Sequence, residues 1–164
     1  MDEKQTHVIK YPESYSLCLG CASCEIACAL SHEGSTGPCK THIKLVLDDF
    51  TQLHNDILVC AQCADHPCYE ACPKKDKAMR IDKRGIVYVD EENCVGCGLC
   101  AKACKFDPSR IVIDKKRKKA RKCDLCRTRP EGPMCIEYCP AKCLGLSTDP
   151  LPYEISEKGE VIAK

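Results

Sequence analysis

The chain has 164 residues, of which 18 are cysteine, with 25 basic against 24 acidic side chains and no tryptophan. Ile, Leu, Val and Phe make up about one fifth of it, the lower border for an ordinary packed core, so aliphatic burial alone does not hold this chain together. The near-zero net charge excludes a protein that binds polyanions over its whole surface, and no apolar run approaches the roughly 20 residues that span a bilayer.

The start, Met1-Asp2-Glu3-Lys4-Gln5-Thr6, has neither an apolar signal core nor a twin arginine. The expectation is therefore a cytoplasmic protein without a membrane anchor. In that reducing compartment dense cysteine reads as metal ligation rather than disulfides.

Along the chain, sixteen cysteines fall into four quartets. Quartet one is Cys18-x2-Cys21-x2-Cys24-x3-Cys28, with a short helix expected over Glu25–Leu30. Short strands are expected at Ile43–Leu47 and Ile57–Val59. Quartet two follows as Cys60-x2-Cys63-x4-Cys68-x3-Cys72, then Pro73, with a helix over Tyr69–Ala71. Met79–Ile81 and Ile86–Val89, β-branched runs around Asp82-Lys83-Arg84-Gly85, read as a hairpin. Quartet three, Cys94-x2-Cys97-x2-Cys100-x3-Cys104, repeats the first spacing, with a helix over Leu99–Lys105. A strand at Ile111–Ile113 precedes quartet four, Cys123-x2-Cys126-x8-Cys135-x3-Cys139, then Pro140. A helix over Ile136–Tyr138 and a strand over Leu144–Leu146 complete the expected elements. None of the helices is long enough to be stable alone. The fold class is α+β, small units folded around metal.

The C-x2-C-x2-C spacing wraps three thiolates around one concave loop, close enough to hold three irons of one cubane. The cysteine four positions further on lies about one helical turn away and ligates the other cluster of a pair. Gly20, Ala22 and Ser23, and Gly96 and Gly98, suit such loops, because small residues let the backbone approach the cluster and glycine takes positive φ. Zinc is the competing metal. Quartet four, with its eight-residue gap, is compatible with a zinc knuckle, whereas quartets one and three are too crowded to wrap one tetrahedral ion. Spacing leaves open whether quartets pair sequentially or in a nested way.

The quartet order, together with Lys122-Cys123-Asp124-Leu125-Cys126 and Cys139-Pro140-Ala141-Lys142-Cys143-Leu144, resembles a known family over roughly residues 12 to 150. It is the four-cluster, polyferredoxin-like electron-transfer subunits of molybdenum and tungsten bis-pterin oxidoreductases. The resemblance implies two ferredoxin-like domains, an inner one (residues 55–109, quartets two and three) inserted in an outer one (1–54 and 110–164, quartets one and four). It implies four [4Fe-4S] clusters. Their ligand sets are Cys18, Cys21, Cys24 and Cys139; Cys28, Cys123, Cys126 and Cys135; Cys60, Cys63, Cys68 and Cys104; and Cys94, Cys97, Cys100 and Cys72. Three clusters beside one altered or zinc site is the alternative. The implied partners are a large tungsten or molybdenum pterin subunit and a redox carrier such as ferredoxin. Similarity to companions of the aldehyde:ferredoxin oxidoreductase type, including anaerobic benzoyl-coenzyme A reductase, is weaker. Companions of carbon monoxide dehydrogenase or formate hydrogenlyase, and a free-standing polyferredoxin, are the alternatives. The chain departs from the pattern in having Ala29 and Lys105 where a proline would follow the fourth cysteine, and in lacking the family's larger insertions and export signal.

Cys39 reads as a free loop thiol and Cys143 as a buried one. Lys115 to Lys122 holds seven basic residues in eight, which mimics a nucleic-acid patch. With no interleaved aromatic and a cysteine ligand directly after it, the run reads as a solvated linker or a strand facing an acidic partner. A zinc-rich nucleic-acid-binding module is the reading from a different class. The five histidines, His7, His32, His42, His54 and His66, show no paired spacing, and His66 reads as a loop residue near quartet two. There is no phosphate-cradling loop, no nucleophile–base set and no paired carboxylates with a pocket, so no catalytic residue is assigned and the chain is not expected to be an enzyme by itself. Because the ligands double as the folding nucleus, the metal-free chain is expected to be largely unfolded. A thermal scan of chelated protein by far-UV circular dichroism should show no cooperative transition, and a cooperative one would contradict this.

Overall fold

The computed structural model describes residues 6–12, 17–37, 40–47 and 55–148, together with the backbone of two short strands near the C-terminus, Tyr153–Ile155 and Val161–Ala163. Its elements are short strands and helices of an α+β fold, and they form two compact units. One comprises His7–Cys60 and Leu125–Ser147; the other is built on Ala61–Asp124.

In the first unit, β1 (His7–Lys10) pairs antiparallel with β8 (Leu144–Ser147), setting Val8 opposite Leu146 and Ile9 opposite Gly145. At Gly145 the Tyr11 ring and hydroxyl occupy the space a Cβ would take, so a larger residue would have to displace that side chain. Helix α1 (Ser23–Glu33) begins after Ala22, held at φ 58, and ends at Gly34 in the left-handed region, whose N–H bonds Leu30 O at 3.0 Å. The expected helix 25–30 therefore runs longer, since nothing between Leu30 and Gly34 stops it. It buries Cys24, Ala27, Cys28 and Ala29. The Glu25 carboxylate in its first turn accepts the Leu45 N–H at 2.7 Å, fastening β2 (Ile43–Val46), which pairs with β3 (Asp56–Val59). Buried Asn55 donates to Cys18 O at 3.0 Å and its own carbonyl accepts Lys10 Nζ at 2.6 Å. The single turn α4 (Met134–Glu137) completes this unit.

The second unit holds α2 (Pro67–Glu70), the hairpin β4 (Met79–Ile81) and β5 (Val87–Val89), α3 (Leu99–Lys102), and the hairpin β6 (Val112–Asp114) and β7 (Lys119–Arg121). Met79, Val87, Cys100, Ile111 and Ala120 form its buried core, with Cys68, Cys72 and Cys94 packed against it. Helix α3 stops at Lys102, short of the expected Lys105. The first hairpin lies where the turn residues place it: Asp82 Oδ1 accepts the Arg84 and Ile86 N–H groups at 2.8 and 3.0 Å. Strand β1 and the C-terminal pair β9 (Tyr153–Ile155) with β10 (Val161–Ala163) were not among the expected elements, whereas β7 falls in the basic run, for which a strand was one of the two readings.

The basic run is not a solvated linker along its whole length. Residues 115–118 form the turn of the β6–β7 hairpin, which Asp114 organises by accepting the Lys116 and Arg117 N–H groups at 2.9 and 3.0 Å. Those amides and the two arginines nearby hold the Asp114 carboxyl below its ordinary range. Beyond the turn the chain dives inward: Arg121 and Lys122 are only 4% and 2% exposed. Arg121 pairs with Asp114 at 2.9 Å, and Lys122 Nζ donates to Val87 O at 2.6 Å and Cys123 O at 3.1 Å. A buried ammonium survives because backbone carbonyls replace its water.

Gln62, 1% exposed, joins the same two carbonyls through Nε2 (3.3 and 2.8 Å), while its Oε1 accepts the Val87 N–H at 3.0 Å. Gln62→Leu keeps the volume but strands that N–H, a loss of roughly 1–3 kcal/mol. The guanidinium midpoint of anaerobic, metal-loaded protein, followed by far-UV circular dichroism, should fall; an unchanged midpoint would deny Gln62 this role.

Candidate metal centre

Each unit contains a hollow walled by thiols. In the first, Cys18, Cys21 and Cys24 come from the loop entering α1 and Cys139 from the segment after α4; Leu45, Ile57 and Leu144 supply the apolar wall of a space of ≈ 320 Å³. In the second, Cys94, Cys97 and Cys100 come from the loop entering α3 and Cys72 from the segment after α2; Met79, Val89 and Ala120 close a space of ≈ 370 Å³. Each hollow joins three cysteines of a C-x2-C-x2-C run to the last cysteine of another quartet. Pro140 and Pro73, which follow those last cysteines, line the hollows as well.

Loop shape explains how three thiols reach one point. Ala22 at φ 58, and Gly96 and Gly98 at φ 65 and 81, reverse the backbone within a few residues. Gly96 has a second constraint: a Cβ there would strike the Lys118 carbonyl group. The β6–β7 turn thus lies directly on the cysteine loop, and Lys119 Nζ holds Cys94 O at 2.7 Å.

The electrostatics of these hollows call for metal. Burial, and then the neighbouring cysteines, push the Cys100 thiol up to about 11, with Cys68, Cys94 and Cys97 as the neighbours. Burial likewise raises Cys24 to about 11, with Cys18 and Cys139 among the contributing groups. Cys135 is raised to about 12 by burial and by Cys28, Cys126 and Cys24. Cys21, by contrast, is exposed and held below its ordinary value by hydrogen bonding with Ser23, whose Oγ lies 3.3 Å from its Sγ. Several thiolates cannot share an apolar hollow unless cations neutralise them, and binding must then expel their protons. An all-sulfur donor set of this kind suits a soft, multinuclear iron–sulfur centre.

Of the remaining sulfurs, Cys28, Cys126 and Cys135 come together in the first unit, while Cys123 belongs to the second. Cys60 is buried at the end of β3, and Cys63, Cys68 and Cys104 are half-buried in the second unit. Backbone donors to sulfur come from places the sequence reading did not select. The Ala120 N–H reaches Cys94 Sγ at 3.3 Å, the Arg110 N–H reaches Cys104 Sγ at 3.3 Å, and the His42 N–H reaches Cys28 Sγ at 3.2 Å. All three amides sit in or just before strands, positions with no composition signal.

Cys143 is buried, its thiol raised to about 12 by burial and then by hydrogen bonding with Cys139, whose Sγ is 3.5 Å away. It lines the Cys18 hollow as a fifth thiol. Cys39 lies outside the described residues. His66 stands in the turn before α2, as read from sequence. His32 and His42 were passed over, although Cys28-x3-His32 is the i, i+4 spacing that puts both side chains on one helix face.

Residues 53–149 match the family described as 4Fe-4S dicluster domain. The chain belongs to that family. Its metal cofactors are accordingly multiple [4Fe-4S] clusters, which the sulfur-lined hollows fit. This dicluster protein is 32% identical over 146 residues to the electron transport protein HydN of Escherichia coli, the match covering 79% of this chain and 82% of that one. It is 40% identical over 123 residues to the polyferredoxin-like subunit of the aliphatic sulfonate oxidoreductase of Pyrococcus furiosus, covering 74% of this chain and 66% of that subunit. Among solved structures, the active-site complex BamBC of benzoyl coenzyme A reductase, with benzoyl-CoA bound, aligns at a TM-score of 0.48 and 20% identity, over 93% of this chain and 85% of that one. Among the described residues of the dicluster protein, no helix is long and apolar enough to cross a membrane.

Gly96→Ala places a methyl group against the Lys118 carbonyl and forces an L-residue into φ 65. Anaerobically purified Gly96→Ala protein should lose about four iron atoms per chain, one cubane's worth, by metal analysis. Full iron content would mean that the loop tolerates the methyl.

Proposed function

We propose that this chain is a non-catalytic electron-transfer subunit carrying four [4Fe-4S] clusters between a redox carrier such as ferredoxin and a catalytic oxidoreductase subunit. The observation that carries the reading is the pair of hollows in which three loop cysteines meet the last cysteine of another quartet. Cys18, Cys21, Cys24 and Cys139 hold one cluster and Cys72, Cys94, Cys97 and Cys100 another. Cys28, Cys123, Cys126 and Cys135, and Cys60, Cys63, Cys68 and Cys104, hold the other two. The nested arrangement of two ferredoxin-like domains is supported by the division of the chain: Ala61–Asp124 is one continuous stretch, whereas His7–Cys60 is completed by Leu125–Ser147.

When bound, [4Fe-4S] clusters supply one-electron transfer. The chain's own residues exclude water with Met79, Val89, Leu45 and Ile57, and fix the thiolates through the loop turns. The backbone amides of Ala120, Arg110 and His42 stabilise negative charge on sulfur. Cys24 and Cys135, like Cys68 and Cys100, lie close enough to perturb one another, so neighbouring ligand sets are in short reach within a unit.

The catalytic partner in this reading is a tungsten or molybdenum bis-pterin subunit, and the compartment is the cytoplasm. The Pyrococcus relative, named as the polyferredoxin-like subunit of an oxidoreductase, supports a subunit role. Anaerobically purified protein should be brown and carry about 16 iron atoms per chain. Affinity purification from the native host should bring down a large subunit containing tungsten or molybdenum. Colourless protein with stoichiometric zinc would overturn the reading, and recovery of the chain alone would leave a free-standing polyferredoxin.

A further inference from the structure

The last turn of α1 brings two side chains to one sulfur, and the segment that follows adds a donor to a second. Cys126 Sγ faces Ser31 Oγ at 4.0 Å and His32 Nε2 at 3.8 Å, and Cys28 Sγ receives the His42 N–H at 3.2 Å. The two imidazoles lie against each other, ring centroids 4.2 Å apart and planes tilted by 30°. The donor atoms of Cys28, His32 and His42 all fall within 4.8 Å of one another. All of these residues belong to the first unit.

Three of them are tied together by the helix. Cys28, Ser31 and His32 follow one another along α1 at i, i+3 and i+4, so one face presents a sulfur and, one turn on, a hydroxyl and an imidazole. Gly34 then turns the chain away, and it returns at Thr41-His42 to lay an amide on Cys28 and a ring on His32. Thr41, buried, fixes that return: its Oγ1 donates to Ile43 O at 2.5 Å and accepts the Ile43 N–H at 3.2 Å. The arrangement is built from side chains that other parts of the fold position, rather than from a chance surface contact.

We propose that His32 is a positioning residue for the metal centre that takes Cys28, Cys126 and Cys135. With its proton on Nε2 it donates to the Cys126 thiolate, Ser31 adds a second donor to the same sulfur, and the His42 ring holds the imidazole in place. Donors to a ligand thiolate stabilise the reduced state, which carries the extra negative charge, so this centre has a higher midpoint potential than it would with an apolar neighbour. The inference rests on the reading of these cysteines as cluster ligands.

The test uses the whole anaerobically purified protein with its clusters in place. His32→Leu removes the donor, His32→Gln keeps one, and Ser31→Ala removes the weaker contact. Iron content, an EPR-monitored redox titration and resonance Raman of the iron–thiolate stretches are measured on each. The expected result is unchanged iron in all three and one cluster moved to lower potential in His32→Leu, with the others unmoved. His32→Gln should restore most of that shift, Ser31→Ala should give a smaller shift of the same sign, and the stretch of one terminal thiolate should move in His32→Leu. Identical potentials and spectra in His32→Leu would overturn the proposal. A loss of about four iron atoms in both His32 variants would overturn it in favour of His32 as a direct metal ligand. Absence of iron from the parent protein would instead sink the reading of the cysteines themselves.

Discussion

Thiolate crowding governs this molecule. A buried cysteine prefers to stay protonated, and several of them facing one another prefer it more strongly, as the raised values at Cys24, Cys100 and Cys135 show. Such an arrangement is unfavourable for a chain left to itself and becomes favourable only when iron replaces the protons. The rest of the fold is arranged around that exchange. Loops with positive φ bring the sulfurs together, one-turn helices lead into Cys72, Cys104 and Cys139, and two-stranded sheets supply amides and apolar walls. The buried cluster of the second unit, Met79, Val87, Cys100, Ile111 and Ala120, has one of these cysteines among its members, so its core is part aliphatic and part sulfur.

Backbone polarity is handled with the same economy. Val87 O and Cys123 O each receive both Gln62 and Lys122, so a strand of the first hairpin and a cysteine of quartet four are held by one buried polar network. Networks of this kind specify a unique arrangement when every member is satisfied and become liabilities when one is lost. The basic run therefore has two parts with different physics, an exposed turn of lysines and a buried pair, Arg121 and Lys122, that is structural.

Much of the metal centre was legible because cysteine spacing is a local property. The three cysteines of each C-x2-C-x2-C run meet in the structure, and the hairpin at 79–89 follows from its turn residues. What the sequence did not reveal depends on partners far away. Strand β1 has only Val8 and Ile9 to announce it and exists because β8 pairs with it. Lys119–Arg121 carries charges that disguise a strand, and only the inward side of Ala120 and the pairing of Arg121 with Asp114 explain it. The donors to sulfur are backbone amides and a histidine one turn from a cysteine, none of which composition distinguishes from ordinary surface residues.

The sulfur-lined hollow of the first unit draws three thiols from Cys18, Cys21 and Cys24 and its fourth from Cys139. On the ribosome more than a hundred residues separate those positions. The Cys72, Cys94, Cys97 and Cys100 hollow can close once Ala120 has been synthesised, whereas the Cys18 hollow has to wait for Leu144. Cofactor delivery during biosynthesis is thereby ordered in time: the hollow of the second unit can mature first, and Cys18, Cys21 and Cys24 stay open to oxidation and to competing metals until Leu144 has emerged.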